Sequence, residues 1–200
     1  MIIKHLNATP NIENSAFVAP NATVCGNVSI GKNCRIMFGA TIVAEGGSIE
    51  IGDNVVVFEN AVIRSTPTNS TKLGRDILIG PGAHIVGCTI EDEVFVATHA
   101  AIFHGAHLGS GSEVRVGGVV HANTRLKEND MVPINWVAVG DPAKIFSPER
   151  HDEIWEIQKT LQFTQTVYKV DSENGKPTMP DIMKMTTKYL GTHHDDETIG

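Results

Sequence analysis

The chain has 200 residues, 41% of them hydrophobic, which suits one domain with a substantial core and is short for a two-domain enzyme. Its 16 Lys and Arg against 23 Asp and Glu give a net charge of -7, which argues against a polyanion-binding surface and so against nucleic acid as a partner. Met1 to Leu6 lack a signal-like apolar core, and no apolar run approaches the roughly 18 residues of a membrane span, so a soluble, cytoplasmic protein without a membrane partner is expected.

Along the chain, aliphatic residues recur every sixth position at Ile12, Val18, Val24, Ile30, Ile36 and Ile42, again at Ile51, Val57 and Ile63, and, after an interruption, at Leu73, Ile79 and Ile85. The series slips by one residue and runs on through Ile90, Val96, Ile102, Leu108, Val114, Val120, Leu126 and Val132. A period of six fits neither the 3.6 of a helix nor long half-buried strands; it marks a solenoid. Four residues after the aliphatic position the chain favours small side chains, among them Ala22, Cys34, Ala40, Ala61, Ala83, Ala100 and Ser112. Gly follows the aliphatic residue directly at Gly31, Gly52, Gly80 and Gly109. One large and one small inward site per hexapeptide let a short strand turn sharply and stack on the next coil, and roughly three hexapeptides close a triangular β-helix. The period alone leaves the hand open. Cys25, Cys34 and Cys88 are odd in number and lie in apolar surroundings, so reduced core thiols are expected.

Three segments depart from the repeat. Ala44-Glu45-Gly46-Gly47-Ser48 and Ser65-Thr66-Pro67-Thr68-Asn69-Ser70-Thr71-Lys72 are turn-rich and are expected to bulge from the solenoid, where loops on a rigid scaffold carry binding residues or decorate a corner. Asn135 to Lys144 ends the periodic region, with Trp136 placed to cover the last coil and Pro142 breaking the strand pattern. Residues 147–200 then read as a helical extension. Ser147-Pro148-Glu149 predicts an N-cap and first turn, and Ile154, Ile157 and Leu161 share a face with Trp155 at its edge. Gln162 to Gly175 are not assigned. Pro180 opens a second helix with Ile182, Met185 and Tyr189 on one side and Gly191 as its stop, and His193-His194-Asp195-Asp196-Glu197 reads as a flexible, solvated tail.

The stretch from about Ile12 through Leu161 resembles the gamma-class carbonic anhydrase-like proteins, through Ile51-Gly52-Asp53-Asn54, Gly87-Cys88-Thr89-Ile90 and Val139-Gly140-Asp141-Pro142-Ala143-Lys144. The resemblance implies an all-β, left-handed parallel β-helix over residues 1–146 with a C-terminal α-helical extension. It also implies a homotrimer whose subunit boundaries form three equivalent clefts. In active members three histidines bind a metal across each boundary; the matching positions here are Arg64, Pro81 and Val86. The family's Arg-Gly-Asp segment corresponds to Val43-Ala44-Glu45 and its Gln-Asp pair to Phe58-Glu59, so only carboxylate character remains, at Glu45 and Glu59. Zinc-hydroxide chemistry on carbon dioxide is not expected, because a neutral-pH nucleophilic water needs the metal to lower its pKa.

A second histidine group, in Thr98-His99-Ala100-Ala101-Ile102-Phe103-His104-Gly105, repeats the family's five-residue separation about one coil later but in shifted columns. His99 and His104 are thus candidates for a relocated zinc site, with His107 and His121 as further imidazoles, or they are corner residues. His84 is a candidate base or a corner residue. Glu45, Glu59, Asn60 and Arg64 flank the implied cleft, with Arg115 and Asn123 on later coils. Arg64 is suited either to a protein carboxylate or to a carboxylate or phosphate of a small-molecule substrate.

Three functions are compatible with these residues. An acyl- or acetyltransferase would use His84, or else His99, as base, with Glu59 in the catalytic set, and would take acyl-CoA as donor. A divergent metal-dependent lyase or hydrolase would need the shifted histidines. A non-catalytic trimeric scaffold would need neither.

Overall fold

The computed structural model of the protein describes residues 1–161, 167 and 178–199. The chain winds as a left-handed parallel β-helix of triangular section, followed by short C-terminal helices. Each face is a parallel sheet made of strands one coil apart. The first runs through Ile2–Lys4, Thr23–Cys25, Thr41–Ala44, Val62–Ser65, His84–Val86, Ala101–Ile102 and Val119–Val120 to Val137–Val139. The second begins at Asn11–Ile12 and ends at Arg125–Leu126, and the third begins at Phe17–Val18 and ends at Met131–Val132.

The sixfold aliphatic residues are the inward rungs. On the first face Val24, Ile42, Ile63, Ile85, Ile102 and Val120 stack in register, and all are buried. The small residues, Ala22, Cys34, Ala40, Ala61, Ala83 and Ala100 among them, are buried where the chain turns between faces. Each rung gains its apolar neighbours from the coils above and below, so burial is cooperative along the stack. Cys25, Cys34 and Cys88 are free and buried.

The two insertions follow Ala44 and Ser65 and lie against each other. Ser48 and Ser70 hydroxyls are 3.1 Å apart, and a Cβ on Gly47 would meet the Thr66 carbonyl at 2.4 Å, so close backbone approach requires glycine there. The periodic region extends one rung further than the sequence reading places it. Val137–Val139 pairs in parallel with Val119–Val120, and Ala138 takes the inward place above Val120. An alanine in the large-residue column hides that rung from an aliphatic count. Trp136 packs against the core, and the chain then reverses through Asp141-Pro142 so that Lys144–Phe146 pairs antiparallel at the end of the face.

Helix α1 spans His151–Gln158, three residues later than its expected start. The Ser147 side chain is taken by the Glu149 carboxylate, and Arg150 at the cap position pairs with Glu153 and lies over the Phe146 ring. Ile154 and Ile157 pack on Val139 and Phe146, sealing the last coil, while Trp155 is exposed. The unassigned stretch from Gln162 lies, apart from Val167, outside the described residues.

Helix α2 spans Met179–Leu190 with a capping box between Thr178 and Asp181. Gly191 does not stop it in a left-handed conformation: its φ is −61°, and the chain tightens into a 3-10 turn over Gly191–Asp195. The tail beyond is not a solvated end. Glu197–Thr198 pairs antiparallel with Ile2–Lys4, and His193 and Asp196 are drawn into contacts with the first coils.

Candidate functional site

The first face carries the residues around Arg64. Val62 is paired with His84, and Arg64 with Val43 and Val86. Because Ile63 and Ile85 point inward, alternation directs Val62, Arg64, His84 and Val86 outward. At the positions the resemblance assigns to a tri-histidine centre stand an arginine, a proline and a nearly covered valine. Arg64 Nη2 donates to Glu45 Oε1 at 2.9 Å, and the Glu45 side chain is 4% exposed. A guanidinium repels a cation, and proline and valine side chains hold no donor atom, so these residues do not fit the metal.

His84 lies between Val62 and Ala101 on this face and is exposed to solvent on one side. Partial desolvation, and then the charge of Arg64, hold its pKa below the usual histidine value, so the ring is neutral at neutral pH. His104 follows the Ala101–Ile102 strand. Burial lowers its pKa first, with repulsion from His84 and Arg64 behind it, and its Nδ1 is buried with no hydrogen-bond partner among the described residues. Burial likewise lowers His121, whose ring lies 6.1 Å from that of Phe103.

These shifts set a pH dependence. The unfolded chain takes up the three protons near pH 6.5, whereas the folded chain resists them until lower pH. The contribution of these three groups to stability is therefore expected to fall as pH drops below about 6.5 and to be absent above it, with His193, whose pKa is raised in the fold, contributing in the opposite direction. Melting curves at pH 7.5 and 5.5 should show the loss, and it should be smaller in His104→Gln; an equal loss in both proteins would mean that His104 does not carry it.

Asn60, His99 and Asn123 occupy coil corners in the left-handed region, with φ of 57°, 56° and 54°. Each lies over a glycine of the preceding coil: a Cβ on Gly39 would come within 2.3 Å of Asn60 Oδ1, and one on Gly82 within 2.5 Å of His99 Nδ1. His99 and His104 stand at opposite ends of the Ala101–Ile102 strand, on opposite edges of the face. His107 pairs with Glu91 at 2.7 Å. Glu59 adjoins the Asn60 corner, where its carbonyl accepts from Gly82 N of the next coil.

A groove of about 400 Å³ runs along the third face to the Pro81 corner, lined by Phe58, Pro81, Phe95, Thr98, Arg115 and Ile134 among others. Arg115 at its edge pairs with Glu113 at 2.5 Å. Phe17, Phe38, Met131 and Ile134 are exposed on this side, Ile134 by 61%. So much outward apolar surface on a rigid face is the mark of an interaction surface.

A polar cluster that the sequence reading leaves in the tail lies at the N-terminal end. His5 and His193 rings stack with centroids 4.2 Å apart, and their Nδ1 atoms lie 2.6 and 2.7 Å from the two oxygens of Asp196. The Cys25 sulfur is 3.9 Å from Asp196, and its thiol is pushed up to about 12 by burial and then by Asp196 and Glu45. His193 Nε2 faces both oxygens of Glu45 at 3.2 and 3.3 Å, and the Tyr189 hydroxyl donates to the Glu45 carbonyl. The available signal was coil spacing, since residues 5, 25 and 45 each stand about one coil apart, together with the His193-x-x-Asp196 pair.

The coil register defines a hexapeptide-repeat protein, and the profile described as bacterial transferase hexapeptide (six repeats) matches residues 9–44. The mitochondrial gamma carbonic anhydrase 2 of Arabidopsis thaliana is 30% identical over 175 residues, covering 84% of this chain and 61% of that protein. A carbonic anhydrase of Geobacillus kaustophilus is 25% identical, covering 80% of this chain and 84% of its own. Within the hexapeptide-repeat proteins, the chain is similar to the gamma carbonic anhydrases. It spans about three fifths of the length of the Arabidopsis relatives. Among solved structures, LpxA, a UDP-N-acetylglucosamine acyltransferase from Bacteroides fragilis, shares the fold with a TM-score of 0.58 at 18% identity, covering 95% of this chain and 86% of that one. No helix among the described residues is long and apolar enough to cross a membrane.

Proposed function

We propose that the protein is an acyl- or acetyltransferase, with acyl-CoA as donor and a small amine or alcohol as acceptor, working in the cleft between subunits of a homotrimer. The observation that supports this reading most is His84: a neutral imidazole, open to solvent, on a face whose former metal positions hold no ligand. In the proposed trimer the apolar groove at the Pro81 corner would face the Arg64 and His84 face of the next subunit, giving the acyl chain an apolar wall and the base an open side. Light scattering should report about 65 kDa, three copies of the 21.6 kDa chain; a concentration-independent monomer would remove the cleft.

In the proposed step, His84 takes the proton of the acceptor as its nitrogen or oxygen attacks the thioester carbonyl. Backbone N–H groups stabilise the tetrahedral oxyanion, the C–S bond breaks, and the departing thiolate recovers the proton from His84. Arg64 and Arg115 hold anionic parts of the substrates, Asn60 and Asn123 line the corners, Glu59 assists the acceptor, and Glu45 positions Arg64. His99, over Gly82, is the second candidate base. His84→Gln should lower acceptor-dependent release of coenzyme A thiol by about 100-fold or more, the usual range for loss of a general base. Unchanged release would exclude His84 as the base.

A second reading is favoured by a separate observation. Arg64 and Arg115 both pair within the chain, with Glu45 and Glu113, which suits a trimeric scaffold that binds no anion in the cleft. Thiol release at the buffer rate with every acceptor offered would favour the scaffold.

A further inference from the structure

We propose that His5, Cys25, His193 and Asp196 form a four-ligand site for a zinc-class divalent cation, which clips the C-terminal turn to the first coils. One ligand atom from each of the four residues lies within 4.8 Å of every other. Zinc bonds of about 2.0 to 2.3 Å draw four such atoms to roughly 3.5 Å apart, and the His5 and His193 rings, now stacked, must turn so that a nitrogen of each points at the one cation. Among the described residues this is where three or more metal-ligating groups converge.

The donor chemistry is selective. One sulfur, two imidazoles and one carboxylate suit zinc and its neighbours, and a thiolate disfavours magnesium and calcium. On binding, the Cys25 thiol gives its proton to solvent, and the thiolate and the Asp196 carboxylate then balance the dication. With four protein ligands no position is left for a substrate, so the site is structural.

The surroundings are those of a built centre. His193 Nε2 faces buried Glu45, which Arg64 holds in place, and a carboxylate on the far nitrogen of a ligating histidine fixes the ring and its tautomer. His5 is sealed from solvent, and its Nε2 has no hydrogen-bond partner among the described residues. The ligands come from the ends of the chain, so the cation would join Ile2–Lys4 and Thr23–Cys25 to the turn after α2. Arg64, Pro81 and Val86 contribute no ligand, and Glu45, between His193 and Arg64, links the centre to the cleft.

The test uses the untagged full chain, stripped with chelator and titrated with zinc sulfate alone, followed by calorimetry and native mass spectrometry. One tightly held zinc per chain is expected, with a binding constant at least 100-fold weaker in His193→Ala and unchanged in His194→Ala, its exposed neighbour. Loading with cobalt(II) should produce a thiolate charge-transfer band that Cys25→Ser abolishes while its circular dichroism stays that of the parent. Should a variant fail to fold, X-ray absorption at the zinc edge of the parent still reads the shell, and one sulfur among nitrogen and oxygen neighbours is required. Absence of stoichiometric uptake, a shell without sulfur, or equal binding in His193→Ala would overturn the proposal.

Discussion

Ile102→Asp is expected to leave little or no folded protein. Ile102 is fully buried on the first face, stacked in register between Ile85 and Val120. Truncating such a side chain costs about 2–5 kcal/mol, and the carboxyl group adds the desolvation of a polar group with no partner in an aliphatic rung. The sum is on the order of 5 kcal/mol or more, comparable with the whole stability of an ordinary domain. Any surviving fold should melt about 10–20 °C lower, at roughly 2–4 °C per kcal/mol for a chain of this size. Circular dichroism melting checks it; a curve superimposable on that of the parent would mean that Ile102 faces outward and the coil register is wrong.

Carbon dioxide hydration should be indistinguishable from the uncatalysed rate in stopped flow, with or without added zinc. The chemistry needs a metal-bound water ionised near neutral pH, against a pKa of about 15.7 for free water. The Arg64 guanidinium pairs with Glu45 and offers a metal no lone pair, Val86 is nearly covered, and Pro81 has no donor atom. Restoring one histidine would still leave too few ligands. Zinc content does not decide the matter, because the site at His5 and Cys25 is expected to hold the metal without an open position. Rapid hydration that chelation abolishes and Cys25→Ser retains would overturn this account of the cleft.

The core was legible because its signal is repeated: a residue such as Ile102 is specified by the column above and below it as well as by its own type. The absence of histidine at Arg64, Pro81 and Val86 was read through the family resemblance, which supplies the ligand positions that the repeat register alone does not mark. What a single sequence hides is contact between distant parts of the chain. Nothing local to His193 or Asp196 says that they meet His5, Cys25 and Glu45, because a polar, charged end has the composition of a solvated tail. Ser147 failed as a cap for a related reason: a nearby carboxylate, Glu149, competes for the hydroxyl, and a propensity does not record the competitor. At Asn60, His99 and Asn123 the residue types read equally as binding groups or as corners, and backbone angles, invisible in the sequence, show the corner geometry.

The crystal structure of the assembled protein with coenzyme A bound tests the central claim most directly. The account predicts a trimer with the pantetheine arm in the groove at the Pro81 corner of one subunit and its thiol within hydrogen-bonding reach of His84 on the next. A cleft closed over the Arg64–Glu45 pair, or coenzyme A bound away from His84, would contradict it.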